Sequence, residues 1–228
     1  MTAITAITAQ NTVAVTDVLA LPPATIVGQV RALVDDIGVD AVKVGMLGTV
    51  ATIDAVAEAL ELVGDAPIVV DPVMVSESGA TLLEPEARAA LVARIVERAT
   101  VVTPNLPEAR VLAGLETATP AELARAVYAL GPGAVVVTGG HADDGADRYF
   151  AGDDVVEIPG ERHPDGATHG SGCTHSAVLA AQLALGVSPL EAARTARAIA
   201  AAAVRDGLRE IGAGPGPVDV LGLARRGS

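Results

Sequence analysis

Tryptophan is absent, and the aromatic side chains number three: Tyr128, Tyr149 and Phe150. An interior built without large rings has to be filled by Ala, Val, Leu and Ile, so an aliphatic, finely packed core is expected. Cysteine occurs once, as Cys173, which rules out an internal disulfide and agrees with a reducing, cytoplasmic setting. Lysine also occurs once, as Lys43, against fourteen arginines. No basic run offsets the formal charge of −13, which argues against a nucleic-acid partner. No apolar run has the length of a bilayer span, and the N-terminus lacks the basic and continuous apolar regions of an export signal, so no membrane partner is expected. The spacing of His141, His169 and His175 fits no zinc pattern, leaving them surface or supporting roles.

What the chain does have is alternation. Residues 3–9 and 13–19 are short and β-branched and read as two strands joined through Gln10-Asn11-Thr12. Pro22-Pro23 opens a helical pattern closed by Gly38. Strands follow at 41–44, 68–70, 100–102 and 134–137, with helices between them at 53–62, 86–97 and from the Thr119 capping box to Leu130. Arg148-Tyr149-Phe150 and Val155 to Ile158 read as an edge hairpin. A helix then runs from Gly172 towards Gly186, and a second capping box, Ser188 to Glu191, starts a long helix closed by Gly212. Buried strands alternating with helices imply an α/β domain, with a mostly parallel sheet covered on both faces and ligands gathered at the carboxyl ends of its strands.

One stretch stands out, Ala167-Thr168-His169-Gly170-Ser171-Gly172-Cys173-Thr174-His175-Ser176. Gly170 and Gly172 free the backbone around Ser171 to aim N–H groups at one point, where the following helix leaves its own first N–H groups unpaired. That is a cradle for an anion, with Cys173 at the positive end of a helix dipole that should favour its thiolate. Asp71, Asn105 and Glu108 follow other strands, where a carboxylate can hold Mg²⁺ and where Asn105 can equally serve as a helix cap. Gln10 offers one acceptor and two donors, matching the edge of an aminopyrimidine, and Met46 is a soft wall for a flat ring.

In order along the chain, Ala9-Gln10-Asn11-Thr12, Lys43-Val44-Gly45-Met46-Leu47, Val70-Asp71-Pro72-Val73-Met74-Val75 with Ser78-Gly79, Thr103-Pro104-Asn105-Leu106-Pro107-Glu108, Gly139-Gly140-His141, Thr168 to Thr174 and Gly214-Pro215-Gly216-Pro217-Val218 resemble the hydroxymethylpyrimidine/phosphomethylpyrimidine kinases of thiamine biosynthesis, a ribokinase-like family. The resemblance implies one ribokinase-like domain over residues 1–228 and ATP-dependent phosphorylation of the pyrimidine's hydroxymethyl group, then of the monophosphate. It implies a pyrimidine site at Gln10, Gly45, Met46 and Val73, and an anion hole at Gly170, Ser171 and Gly172. Cys173 would be the catalytic base, and Asp71, Asn105, Thr138 and Gly140 the ATP contacts. Mg²⁺ would sit at Asp71 and Glu108, and the assembly would be a homodimer.

The match also has departures. The family carries a further strand, a glycine-rich substrate loop and a helix before the position of Met1, so a sheet short of its first strand and helix is expected. Thr138 stands where many relatives have lysine, and Glu77 and Ala80 alter the stretch after Asp71. Pyridoxal kinase activity and a catalytically impaired ligand-binding form are the competing readings.

Overall fold

A computed structural model describes residues 1–76, 79–142 and 144–223. Glu77, Ser78 and the side chain of His141, singled out by sequence, lie outside the described part. The chain opens as a ribbon, β1 (Ala6–Gln10) antiparallel to β2 (Val15–Ala20). The link between these strands is too short for a crossover, so an antiparallel pair is the available arrangement. Asn11 makes the turn, its Oδ1 accepting the N–H groups of Val13 and Ala14 at 2.9 Å. The ribbon forms a sheet of its own and is anchored by Thr5, whose hydroxyl donates to the Met46 carbonyl at 2.9 Å.

After α1 (Pro23–Asp36) comes the six-stranded central sheet, in the order β3 (Val42–Val44), β4 (Ile68–Val70), β5 (Val101–Val102), β6 (Val135–Val137), β7 (Asp147–Phe150) and β8 (Val156–Ile158). The first four are parallel, and β7 and β8 form the expected antiparallel hairpin at one edge. At the other edge β3 pairs only with β4 among the described residues.

The two-residue period of the strands sorts the core into two layers. Val70, Val102, Val135 and Val137 pack against one set of helices: α1, α2 (Val50–Leu60), α3 (Ala87–Arg94), α4 (Leu106–Ala113) and α5 (Pro120–Tyr128). Val69, Val101 and Val136 face the other way, onto α6 (Ser171–Ala184) and α7 (Pro189–Arg205). Every buried residue of α7 is alanine, at 192, 193, 196, 200 and 203, so the helix axis can lie close to its neighbours. Of the aromatics, Tyr128 and Phe150 meet edge to face at 5.1 Å.

Two helix ends and one cap differ notably from the sequence reading. The helix expected over 86–97 ends at Arg94 and gives way to a 3₁₀ turn at Val96–Arg98. The last helix stops at Arg205 rather than near Gly212. Past that end Gly207 lets the chain run close over the segment leading into α6, since a side chain there would stand 2.5 Å from Ala167 Cβ. Ser188 precedes α7 without a side-chain cap bond, and the Glu191 carboxylate pairs with Arg194 at 3.2 Å instead of reaching back. The boxes at Thr119 and Asn105 do close, each with both reciprocal bonds.

Candidate active site

At the carboxyl ends of the parallel strands lies a cavity of about 580 Å³, and every expected site residue except Gly45 lines it. Gly45 serves differently. A side chain there would stand 2.8 Å from Lys43 Nζ, so the glycine leaves room for the ammonium to pass.

The cradle is built by a left-handed residue. Gly170 sits at φ +88°, a conformation costly for any side-chain-bearing residue, and from it α6 departs. Thr174 N–H is the first to bond in helical fashion, to Gly170 O at 2.9 Å, while Ser171 N–H turns back to Thr168 O at 3.0 Å. The N–H groups of Gly172 and Cys173 find no carbonyl among the described residues, and both residues border the cavity. Of the residues expected to form an anion hole, Gly170, Ser171 and Gly172, only Ser171 has its N–H taken up in the turn, and Cys173 adds a further backbone N–H beside them. A C-terminal segment braces it: His169 N–H donates to Gly216 O, and Val218 N–H to His169 O. The same segment closes over the β1–β2 turn, where Gly214 N–H donates to Thr12 Oγ1 at 3.3 Å and leaves no space for a side chain against Thr12 O.

Below the cradle, Asp71 follows β4 and is nearly buried. Its Oδ2 accepts from Lys43 Nζ at 3.2 Å and from Ser176 Oγ at 3.0 Å, one turn along α6 from Cys173. Lys43 and Ser176 were not among the expected site residues. The signals for them were the singularity of the lysine, at a strand end, and the three-residue step from cysteine to serine.

The thiol of Cys173 faces the cleft, where solvent reaches it, yet protein walls it on most sides. Burial pushes its pKa up, the Lys43 ammonium draws it down, and the Asp71 carboxylate pushes it up again. The net direction is upward. A thiolate favoured by the helix dipole alone is thus not the resting form, because desolvation outweighs it.

Asn105 caps α4, its Oδ1 accepting Glu108 N–H at 2.9 Å while Glu108 Oε2 accepts Asn105 N–H at 2.9 Å. Glu108 Oε1 accepts Met74 N–H at 3.4 Å. Its pKa is raised from 4.5 to about 7, first by burial, with the Asn105 N–H opposing and the Asp71 carboxylate adding to the rise. Among the described residues no group of three His, Cys, Asp or Glu side chains is placed to hold a metal. Two repelling carboxylates beside a phosphate cradle fit a divalent cation that arrives with its own water and ligand oxygens rather than a resident one.

The cavity reaches further than the expected residues. Ala200, Ala201 and Val204 of α7 and the stretch Glu161 to Pro164 add wall beyond the cradle, and Asp147, His175 and Arg197 also border the space. Val204 lies three residues after Ala201 and four after Ala200, so these small apolar side chains share one helix face and make a flat strip. No helix among the described residues is long and apolar enough to cross a membrane.

A mostly parallel sheet with a helix-mouth cradle at its carboxyl edge, flanked by two carboxylates and an ammonium, defines a ribokinase-like phosphotransferase. Residues 1–219 match the profile of phosphomethylpyrimidine kinase, and the chain belongs to that family of kinases. It is 45% identical over 222 residues to the hydroxymethylpyrimidine/phosphomethylpyrimidine kinase of Rhizobium meliloti, covering 94% of this chain and 83% of the relative. The structure of phosphomethylpyrimidine kinase from Clostridium difficile 630 superposes with TM-score 0.75 at 34% identity, over 86% of this chain and 83% of that one. Pyridoxal kinase from Staphylococcus aureus, in complex with AMP-PCP and pyridoxal, gives TM-score 0.85 at 34% identity, over 98% and 82% respectively.

Proposed function

We propose that this chain transfers the γ-phosphoryl group of ATP to the hydroxymethyl group of 4-amino-5-hydroxymethyl-2-methylpyrimidine, and then to the resulting monophosphate, yielding the diphosphate used in thiamine assembly. The observation that carries the proposal is one continuous cleft, with Gln10 and Met46 in one part of its wall, Thr138 and Gly140 in another, and the Gly172–Cys173 donors at its cradle.

Gln10 pairs with the amino group and ring nitrogen, and Met46 and Val73 bound the ring. The strip of Ala200, Ala201 and Val204 supports the adenine, with Asn105, Thr138 and Gly140 along the phosphates. Transfer of a phosphoryl group asks the protein mainly for alignment and charge neutralisation. The N–H groups of Gly172 and Cys173 supply the neutralisation at the moving oxygens. Asp71 and Glu108 would hold the Mg²⁺ that accompanies ATP, which would supply the remaining positive charge. Cys173 accepts the hydroxyl proton from its thiolate form, a minority species in the resting site, stabilised by Lys43 and the start of α6.

The exposed apolar side chains of the ribbon, Ile7 and Leu19 among them, favour a homodimer formed through it. Purified protein with Mg²⁺–ATP should release ADP only when the hydroxymethylpyrimidine is added. ADP release with pyridoxal and none with the pyrimidine would instead support the second reading, which the likeness to the Staphylococcus aureus enzyme favours.

A further inference from the structure

Behind the cradle lies a charged cluster with no part in the chemistry above. Asp147 opens β7 and is completely buried. Its Oδ1 accepts Gly139 N–H at 2.7 Å and lies 3.7 Å from Arg197 Nε, while its Oδ2 lies 3.3 Å from His175 Nε2. Arg197, on α7, also donates through Nη2 to the carbonyls of Gly145 and Glu161. Gly160 is what lets the guanidinium through, since a side chain there would collide with it. Asp147 Oδ2, both ring nitrogens of His175 and Arg197 Nε are the buried side-chain polar atoms without a hydrogen bond among the described residues. All belong to this one cluster, and all three residues border the cavity.

We propose that Asp147 and His175 are positioning residues for phosphoryl transfer: a carboxylate–imidazole pair that holds the Gly139–Gly140 turn in register with the Gly172–Cys173 cradle.

The argument is one of connectivity. His175 follows Cys173 by two residues on α6, so it moves with the cradle. Asp147 grips the backbone of Gly139, so it moves with the turn that carries Gly140 into the cleft. The turn has little freedom of its own, because Gly139 is pressed against the backbone of Ala146. Joining imidazole to carboxylate therefore links the two walls between which a phosphoryl group has to pass. Arg197 supplies the charge that makes a completely buried carboxylate tolerable. His175 Nε2 lies 3.3 Å from Asp147 Oδ2, close enough for the ring and the carboxylate to bear on one another. A polar cluster kept only for fold stability would not need to sit on the cavity wall or hold the backbone of a cleft-lining turn.

The test, which rests on the kinase reading for its kinetic part, compares His175→Leu with His175→Gln. Glutamine can place an N–H near the imidazole Nε2 position and leucine cannot. His175→Leu is expected to lower kcat by roughly 10- to 100-fold, the loss that small misalignments produce. Pyrimidine affinity should stay within about twofold, as expected for a term realised only in alignment, and His175→Gln should recover most of kcat. Adding His175→Leu to Asp147→Asn should cost nothing further, since the pair acts as one unit. Independently of turnover, backbone amide exchange at residues 138–140 should quicken in His175→Leu and not in His175→Gln.

Wild-type kcat in His175→Leu, or equal impairment of both His175 variants in step with a lowered Tm, would overturn the positioning role. Should Asp147→Asn fail to fold, the His175 pair decides alone. A wild-type protein that makes no ADP with the pyrimidine would refute the kinase reading instead, and the amide-exchange comparison then decides the positioning role.

Discussion

Replacing Glu108 with glutamine should invert its effect on stability as pH rises. Glu108 is buried, and its pKa moves from 4.5 to about 7. The unfolded chain therefore releases this proton near the ordinary carboxylate value while the folded chain keeps it. Between those two values the unfolded state binds fewer protons than the folded one, so stability falls with rising pH. The rise in pKa corresponds to a loss of about 3 kcal/mol, complete once pH exceeds the folded value. Glutamine has no such slope. It retains one oxygen where the Glu108 carboxyl group, ionised or not, offers two to the N–H groups of Asn105 and Met74, and the lost bond costs about 1 kcal/mol. Glu108→Gln is thus expected to be about 1 kcal/mol less stable than wild type in mild acid and about 2 kcal/mol more stable in mild alkali. Urea melts of both proteins across that range measure the crossing. A difference that does not change with pH would refute the assigned pKa. Mg²⁺–ATP should narrow the alkaline gap, because a cation near Asp71 and Glu108 stabilises the ionised form that glutamine lacks.

Other consequences are testable in the same preparations. Cys173→Ala should lower kcat by about 100-fold or more, the upper part of the range for a lost general base, with ATP affinity retained in calorimetry. Burial raises the Cys173 pKa, so wild-type kcat should climb on the alkaline side of neutrality, and a profile flat there would remove the thiolate base. Gly170→Ala forces a side chain into φ +88° and should cost about 1 kcal/mol of stability while opening the cradle, read as a lower Tm together with reduced turnover. Thr138→Lys places a cation on the cleft wall and should tighten ATP binding several-fold, an effect that added salt diminishes.

Local pattern carried much of this structure. The β-branched triplets Ile68-Val69-Val70 and Val135-Val136-Val137 needed no tertiary information to be read as buried strands, and the Thr119 box closes as its four residues imply. Gly170, Gly172 and Cys173 were legible because the glycines and the helix mouth are contiguous. What sequence could not supply was competition between distant partners. Glu191 pairs with Arg194 rather than with its cap, and beyond the end of α7 Gly207 packs on Ala167, forty residues back in the chain. The Cys173 thiol obeys a desolvation that only the folded walls impose. Gly45 borders Lys43 and does not line the cavity, a placement visible only once the lysine side chain is in position. Asp147, His175 and Arg197 share no spacing that marks them as a group, and three different elements have to dock before they meet.

The brace from Gly212 to Val218 has a bearing on how the cleft is held together. It ties Thr12 in the ribbon turn to His169 beside the cradle, using residues that belong to no strand or helix described above. Cutting the backbone within it would leave the central sheet and its helices whole and unfasten the ribbon turn that carries Gln10 from the cradle. Two walls of one cavity are thus joined by a strap that the core itself does not need.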